Sequence, residues 1–120
     1  MAIRTYRDLI AWQKAMDFAE SVFRLTESFP KRETYGIASH IRKTALSVPS
    51  NITEGQGRGA TNDYIRFLRI ARGSLQELET QILLAIRFGY VNRTDETSLL
   101  VRSEEVSRLI SGLMRSLKKS

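Results

Sequence analysis

Apolar residues recur at intervals of three and four positions in four segments of this 120-residue chain. That spacing places them on one face of a helix, and no segment shows the strict alternation of a half-buried strand. The predicted helices run from Thr5 to Phe29, from about Thr34 to Gly55, from Thr61 to the stop at Gly89, and from just after Thr94 to about Lys119. The pattern therefore predicts an all-α fold, an antiparallel up-down-up-down four-helix bundle that forms a single domain over residues 1–120.

The apolar lines predict which side of each helix meets the core. The predicted core positions are Leu9, Trp12, Met16, Ala19 and Phe23 in the first helix, Ala38, Ile41, Ala45, Val48 and Ile52 in the second, Tyr64, Leu68, Ala71, Leu75, Leu78, Ile82 and Ala85 in the third, and Leu99, Val106, Ile110, Leu113 and Leu117 in the fourth. The first and third helices carry further apolar residues beside these lines, which makes their apolar arcs wider than the roughly 100° that a bundle core requires. We expect the additional residues to form an oligomer interface, with a broad core face as the alternative. They are Phe18, Val22, Leu25, Phe67 and Ile70.

The ends of the predicted helices carry residues that commonly start or stop helices. Thr5 and Asp8 have the spacing of a capping box, and Pro30 disfavours helical geometry in the residue before it. Asp63 lies in the first turn of the third helix, where the helix dipole favours a carboxylate. Gly89 adopts left-handed backbone geometry without strain and is therefore suited to end that helix.

The run SVPSNITEGQGR, residues 47–58, places a proline and several polar residues inside the second helix. Pro49 removes a backbone donor and clashes with the carbonyl four residues earlier, so we expect the helix to bend there. The polar motif comprises Ser47, Pro49, Asn51, Glu54 and Arg58. Its four polar members follow at spacings of four, three and four, which puts them on one line beside the apolar face. We predict a bend supported by a polar network at a packing interface, and a ligand or phosphate site is the alternative.

The chain is basic, with a formal net charge of +6, and fourteen of its nineteen cationic residues are arginine. Guanidinium groups suit phosphate because they present several donors in a fixed plane. Three arginines fall within an arc of about 120° on the third helix and form a candidate phosphate-binding stripe. The candidate nucleic-acid-binding residues are Arg42, Lys43, Arg58, Arg66, Arg69, Arg72 and Arg87. A solvated helix face that Glu77 and Glu79 partly neutralise is the alternative.

The residue inventory offers little for catalysis. Cysteine is absent and His40 is the only imidazole, so the chain lacks both a thiolate nucleophile and a histidine set for a metal. We therefore expect no enzyme activity, no catalytic residue, no metal and no cofactor. No run approaches the ~18 apolar residues of a membrane span, and the first residues lack the apolar core of a secretory signal. We expect a cytoplasmic location.

Five runs of the sequence resemble a known family. They are IAWQKAM (residues 10–16), FPKRETYGI (29–37), SVPSNITEG (47–55), FLRIARGSLQELETQ (67–81) and GYV (89–91). In this order they are similar to the small four-helix bundle proteins encoded within intervening sequences of bacterial 23S ribosomal RNA genes. The resemblance covers nearly the whole chain and includes the polar motif. It departs at His40, where glutamine is usual, and at Thr53, where alanine is usual.

The resemblance implies a bundle that assembles as a ring-shaped homopentamer and has no accepted catalytic residues. It also implies a distant similarity to the accessory variability determinant proteins of diversity-generating retroelements, which are basic pentamers that bind nucleic acid and a reverse transcriptase. Together with the arginine stripe, it leads us to expect a homo-oligomer that binds RNA or DNA through arginine–phosphate contacts. The alternative function is an assembly scaffold that recruits a protein partner, and we expect no membrane partner.

Overall fold

The structure is a computed structural model that describes residues 3–119. It contains four α-helices, which are α1 (Ile10–Thr26), α2 (Ile37–Gly57), α3 (Thr61–Arg87) and α4 (Glu96–Lys119). Short 3₁₀ turns lie at Tyr6–Asp8, Lys31–Glu33 and Arg93–Asp95. No strand occurs within residues 3–119. The predicted all-α fold with four helices is therefore confirmed.

Helix α1 packs against α2 and α4, and α3 also packs against both of these helices. At the α3–α4 interface, Arg72 bonds to Ser111 and Glu79 bonds to Ser103, so residue numbers rise along one helix as they fall along the other. The corresponding pairs between α1 and α4 are Lys14–Glu105 and Asp17–Arg102. Antiparallel neighbours have this order of contacts. The complete up-down-up-down arrangement and the bend at Pro49 stay predictions.

Helix α1 turns a different face toward the core from the one predicted. Its buried residues are Ala11, Ala15, Phe18, Ala19, Val22 and Thr26. Met16 and Phe23, which the apolar pattern assigned to the core, are exposed, and Trp12 is half-buried. Leu9 and Ala19 are buried as predicted, but the prediction was wrong for Met16 and Phe23, because α1 carries two adjacent apolar lines and the other one, with Phe18 and Val22, faces the core. A line of alanines allows neighbouring helices to approach closely, since the distance between helix axes depends on the side chains at the contact.

The oligomer-interface prediction for α1 is wrong for the same reason. Phe18 and Val22 are buried inside the protomer, and Leu25 packs against the same core. Phe18 and Val22 therefore have no surface left for a second subunit, whereas Leu25 is half-buried and its interface role stays a prediction. The interface residues expected on α3 stay a prediction, with Phe67 half-buried and Ile70 exposed.

The predicted core lines of the other three helices agree with the structure. All five predicted positions of α2 are buried, and so are those of α3 apart from the half-buried Tyr64. In α4 the first three predicted positions are buried, whereas Leu113 and Leu117 are half-buried and pack against the core. These lines could be predicted because large aliphatic residues dominate them.

The capping box at Thr5 and Asp8 is present, but it caps the 3₁₀ turn rather than α1. The backbone N–H groups of Arg4 and Thr5 donate to Asp8 Oδ2 at 2.8 and 3.1 Å. These hydrogen bonds, that from Arg4 first, hold the pKa of Asp8 below its usual value because they stabilise the carboxylate. Leu9 is extended, and α1 begins only after it.

Helix α1 also ends earlier than predicted, at Thr26 rather than Phe29. The three amides that follow the helix donate to carbonyls three residues back, which tightens the chain into 3₁₀-type turns before Pro30. The 3₁₀ turn at Lys31–Glu33 then delays the start of α2 to Ile37.

Helix α3 ends as predicted at a glycine in left-handed geometry. Gly89 has a φ of 81°, and its amide donates to the Ile86 carbonyl at 3.0 Å. The Tyr90 amide donates to the Ala85 carbonyl at 2.9 Å. These two bonds form a Schellman motif, which satisfies carbonyls that the helix end would otherwise leave unpaired.

Gly55 lies at a close contact between α2 and α3, and it does not end α2, which continues to Gly57. A Cβ atom at Gly55 would lie 2.9 Å from Phe67 Cβ and 3.1 Å from both Cδ1 and the carbonyl oxygen of Tyr64. The absence of a side chain therefore sets how closely the two helices approach. The same packing raises the pKa of the Tyr64 hydroxyl above its usual value, because burial disfavours the phenolate.

We predict that Gly55→Ala destabilises the fold by about 1–3 kcal/mol, because the added methyl group overlaps backbone and Cβ atoms that cannot move independently of α3. A urea melt monitored by circular dichroism measures the change.

Gly57→Ala is the matched control, because a Cβ atom there meets nothing within 4 Å. This variant is expected to keep the stability of the parent chain or to raise it by up to about 1 kcal/mol, since alanine has the higher helix propensity. Equal melts for the two variants would show that the contact at Gly55 is not tight.

Candidate nucleic-acid interface

Four of the predicted arginines lie on the outer side of α3. At 100° per residue, Arg69 and Arg87 have the same angular position, and Arg66 and Arg72 lie about 60° to either side of it. Arg87 follows Arg69 by five helical turns, which is about 27 Å along the helix axis. The structure therefore brings these four side chains to one elongated surface.

The partners of these arginines differ. Arg66 Nη2 lies 3.7 Å from Asp63 Oδ1, a long and exposed ion pair. Arg72 Nη1 donates to the Ser111 hydroxyl on α4 at 3.1 Å, a neutral partner that leaves its charge uncompensated. Arg69 and Arg87 are exposed and have no hydrogen-bond or ion-pair partner among residues 3–119.

The two carboxylates expected to neutralise the stripe do not contact it. Glu79 Oε1 accepts a hydrogen bond from the buried Ser103 hydroxyl at 2.7 Å. Glu77 is exposed, and within the described part of the chain neither glutamate forms an ion pair with an α3 arginine. The interpretation of the stripe as an internally neutralised face is therefore not supported by the contacts.

Helix α4 adds two cations that the predicted set lacked. Ser111, the partner of Arg72, lies one turn before Arg115 and one turn after Arg108. Because α3 and α4 run in opposite directions here, Arg115 lies level with the turn of α3 that carries Arg69. Both α4 arginines are exposed. Their spacing of seven residues was visible in the sequence, but their nearness to α3 depends on the register between the helices.

The arginines of α3 and α4 on this surface that have no carboxylate partner among the described residues are called the basic face, and they are Arg69, Arg72, Arg87, Arg108 and Arg115.

Arg58 occupies a separate place at the end of α2. It forms an ion pair with Glu54 at 2.7 Å, and its Cζ lies 5.0 Å from the centroid of the Phe67 ring. The Cζ of Arg66 lies 4.5 Å from the same centroid. Two guanidinium groups thus contact one aromatic ring, where cation–π attraction holds them near the α2–α3 interface. Both partners of the ion pair are about half exposed, so the pair contributes little to stability.

The remaining members of the polar motif make local hydrogen bonds. Asn51 Nδ2 donates to the Ser47 carbonyl at 2.7 Å, and Ser47 Oγ donates to the Thr44 carbonyl at 2.8 Å. Neither bond goes to the Ala45 carbonyl, the one that the missing N–H of Pro49 leaves without its helical donor. Ser47 and Asn51 therefore do form hydrogen bonds along the predicted helical line. Their acceptors, however, are carbonyls other than the one that Pro49 leaves without a donor.

Arg42 and Lys43 lie at the α1–α2 interface, apart from the basic face. Arg42 Nε donates to Thr26 Oγ1 of α1 at 2.7 Å, and its Cζ lies 5.6 Å from the centroid of the Phe23 ring. Lys43 is exposed and has no partner among the described residues. The predicted cations thus form separate groups rather than one continuous surface.

Few of the cationic side chains are neutralised by carboxylates. Residues 3–119 include all nineteen lysines and arginines, and ion pairs occur at Lys14, Arg24, Arg58 and Arg66. Each of these pairs is exposed to solvent, where such contacts contribute about 0–1 kcal/mol. The surface therefore keeps most of its positive charge available to a polyanion.

Apolar side chains are exposed on α3 beside its arginines. Ile70, Leu84 and Phe88 lie about 60–100° around the helix from Arg69 and Arg87. Phe88 is 59% exposed and Ile70 is 43% exposed. A row of this kind on a long helix is a candidate surface for protein contacts.

Two kinds of feature are absent from residues 3–119. No described helix combines the length and the apolar character needed to cross a membrane. No three metal-ligating side chains come together in this part of the chain.

Comparisons with known proteins address the fold and the family. Residues 7–112 match the family model described as 23S rRNA-intervening sequence protein. A similar solved structure is the crystal structure of a protein of unknown function from the S23 ribosomal protein family of Bacteroides thetaiotaomicron. It has a TM-score of 0.81 and 23% identity, and the alignment covers 88% of this chain and 96% of that chain. No curated protein matches the sequence.

The structural similarity, at this level of identity, supports the fold alone. The family model is more specific, because it spans α1, α2, α3 and most of α4. The chain therefore belongs to the family of 23S rRNA-intervening sequence proteins.

Proposed function

We propose that this protein is a non-catalytic, cytoplasmic homo-oligomer that binds nucleic acid through arginine–phosphate contacts. Its protomer is an up-down-up-down four-helix bundle, bent in α2 near Pro49. The observation that carries the proposal is the pair Arg69 and Arg87, two exposed arginines on one line of α3 without a carboxylate partner among the described residues.

The basic face provides the contacts to phosphate. Arg72 is fixed by its hydrogen bond to Ser111, which limits the side-chain entropy lost when it binds. Arg69 and Arg87 are free to adjust to successive phosphates over about 27 Å of helix. Such contacts release counterions from the nucleic acid, so binding is expected to weaken steeply as salt is added. Because the proposed contacts involve phosphate alone, we expect little sequence preference.

RNA is the proposed ligand, and DNA serves as the comparison. RNA is chosen because the description of the family names an intervening sequence of 23S rRNA; that description names no ligand.

The proposed oligomer is built through α3. Ile70, Leu84 and Phe88 provide exposed apolar surface, and Phe67 lies half-buried beside them. Burial of such a row between identical copies removes apolar area from water and suits a ring or a dimer. The number of five subunits follows from the family resemblance. In an oligomer of this kind each copy contributes its own basic face, which multiplies the contacts to one polyanion.

An assembly scaffold that recruits a protein partner is the second candidate function. The supporting observation is an apolar groove of about 500 Å³ between the start of α1 and α4, lined among others by Ile10, Leu109 and Leu113. A stable protein partner that survives nuclease treatment would favour this function over nucleic-acid binding.

We predict that the triple substitution Arg69→Gln, Arg72→Gln and Arg87→Gln weakens binding to RNA at low salt by tenfold or more. Loss of three phosphate contacts is expected to reduce the slope of log K against log salt by about two units. Fluorescence anisotropy with a labelled RNA at several salt concentrations measures both quantities.

The charge-matched control is the triple substitution Arg7→Gln, Lys14→Gln and Arg24→Gln, which removes the same charge from the first part of the chain. Its binding is expected to fall far less, because these residues lie outside the basic face. Equal losses in the two triple variants would mean that net charge alone, and not the basic face, determines binding. Absence of binding by the parent chain at low salt would refute the function.

We predict that Ile70→Asp lowers the number of subunits, because a carboxylate on the apolar row of α3 has to be buried in the interface. Native mass spectrometry after nuclease treatment measures the assembly. Val101→Asp is the control, since Val101 is also an exposed apolar residue but lies on α4. A monomeric parent chain, or an Ile70→Asp variant with unchanged mass, would contradict this interface.

A further inference from the structure

A cavity of about 320 Å³ lies between the end of α1 and the start of α2. It is lined by Phe23, Thr34, Tyr35, Ser39, Arg42, Lys43 and Leu46. Its volume is at the lower end of the range typical of small-ligand sites, and it combines aromatic rings, cations and hydroxyl groups. It contains two of the cations that lie apart from the basic face.

The aromatic rings of the cavity are available for contact. Tyr35 is 95% exposed, so nearly all of its ring faces solvent, and Phe23 is 36% exposed. An exposed aromatic ring gains no stability from folding, but it offers a flat surface on which another ring can stack. Leu46 extends this apolar surface along α2 and is exposed as well.

Arg42 is held in place beside these rings. Its Nε donates to Thr26 Oγ1 at 2.7 Å, and the buried Thr26 hydroxyl in turn donates to the Phe23 carbonyl at 2.7 Å. The guanidinium also lies over the Phe23 ring, at 5.6 Å from Cζ to the centroid. The arginine is therefore positioned before any ligand arrives, which reduces the entropy lost on binding.

The electrostatic character of the cavity favours an anion. None of its lining residues is acidic, and both of its charged residues are cations. The nearby Glu33 accepts a hydrogen bond from the Tyr90 hydroxyl at 2.8 Å, and Glu27 lines an adjacent cavity. Helix α2 starts at the cavity with no side-chain cap and no acidic residue in its first turn, so its positive end adds to the field.

From these observations we infer that the cavity binds one unstacked base of a single-stranded nucleic acid, with Tyr35 stacking on the base and Lys43 contacting the adjacent phosphate. The inference rests on the proposed function and specifies the form of nucleic acid and the residue that contacts a base. An exposed ring next to cations that have no carboxylate partner is the combination by which proteins hold single strands without sequence preference. Bases within a duplex are stacked on one another and cannot reach Tyr35 in this way.

The experiment compares a short single-stranded RNA with an oligomer of the same length that carries no bases, since both have the same phosphate charge. The parent chain is expected to bind the RNA at least about fivefold more tightly, because each stacked base adds about 1–3 kcal/mol. Tyr35→Ala is expected to remove most of this difference, whereas Tyr35→Phe retains the ring and keeps it. Fluorescence anisotropy measures all the affinities.

Lys43→Gln is the second variant, because it tests the phosphate contact separately from stacking. It is expected to weaken both oligomers by the same factor and to reduce the salt dependence of each. A Tyr35→Ala chain that still distinguishes RNA from the base-free oligomer would overturn the inference. So would a fall in native mass caused by Tyr35→Ala, because the cavity would then be covered by a second copy of the chain.

The failure of this inference can be distinguished from failure of the proposed function. If the parent chain binds RNA and the base-free oligomer equally, and the triple variant of the basic face weakens both, the function stands and the base site is refuted. If neither oligomer binds at low salt, both proposals are refuted.

Discussion

Helix α1 packs against the rest of the bundle largely through alanines. This packing determines which of its large side chains are exposed at the surface. Ala11, Ala15 and Ala19 point inward with Phe18 and Val22, so the helix sits close to α2 and α4. A helix has a limited arc for its core, and each inward residue fixes the angular position of all the others. The large residues Met16 and Phe23 are therefore directed outward. The Phe23 ring lines the α1–α2 cavity as a consequence of this orientation of α1.

The contact between α2 and α3 at Gly55 determines where the polar residues at the end of α2 lie. Because Gly55 has no side chain, Phe67 and Tyr64 of α3 come within van der Waals distance of the α2 backbone. Arg58, one turn further along α2, then lies over the ring of Phe67 and remains paired with Glu54. The polar motif is thus fixed by packing on one side and exposed on the other, which fits a structural role better than a ligand site.

The sequence predicted the core positions of helices dominated by large aliphatic residues, and it predicted a helix end where a glycine adopts left-handed backbone geometry. The α3 core line from Leu68 to Ala85 and the stop at Gly89 are examples. The prediction failed for part of α1, because this helix carries two adjacent apolar lines that both contain large residues, and periodicity alone does not show which line faces the core. The arginines of α3 could be predicted to share one side by helical geometry alone. Their grouping with Arg115 could not, because it depends on the register between α3 and α4, which no local pattern contains.

The acidic residues that form side-chain hydrogen bonds explain in part why so many arginines remain unpaired. Asp8 accepts backbone amides, Glu33 accepts the Tyr90 hydroxyl, and Glu79 accepts the Ser103 hydroxyl. Each of these carboxylates stabilises a turn or a helix contact through a neutral donor, so its charge does not offset a guanidinium by direct contact. Two groups of cations without a carboxylate partner are the basic face, on α3 and α4, and Arg42 with Lys43 at the α1–α2 interface. A duplex is too stiff to follow a body only 26 by 21 Å in cross-section, since its persistence length is about 150 base pairs. A single strand bends easily, so under the proposed function one strand would be able to contact both the basic face and the cavity at Tyr35 of the same protomer.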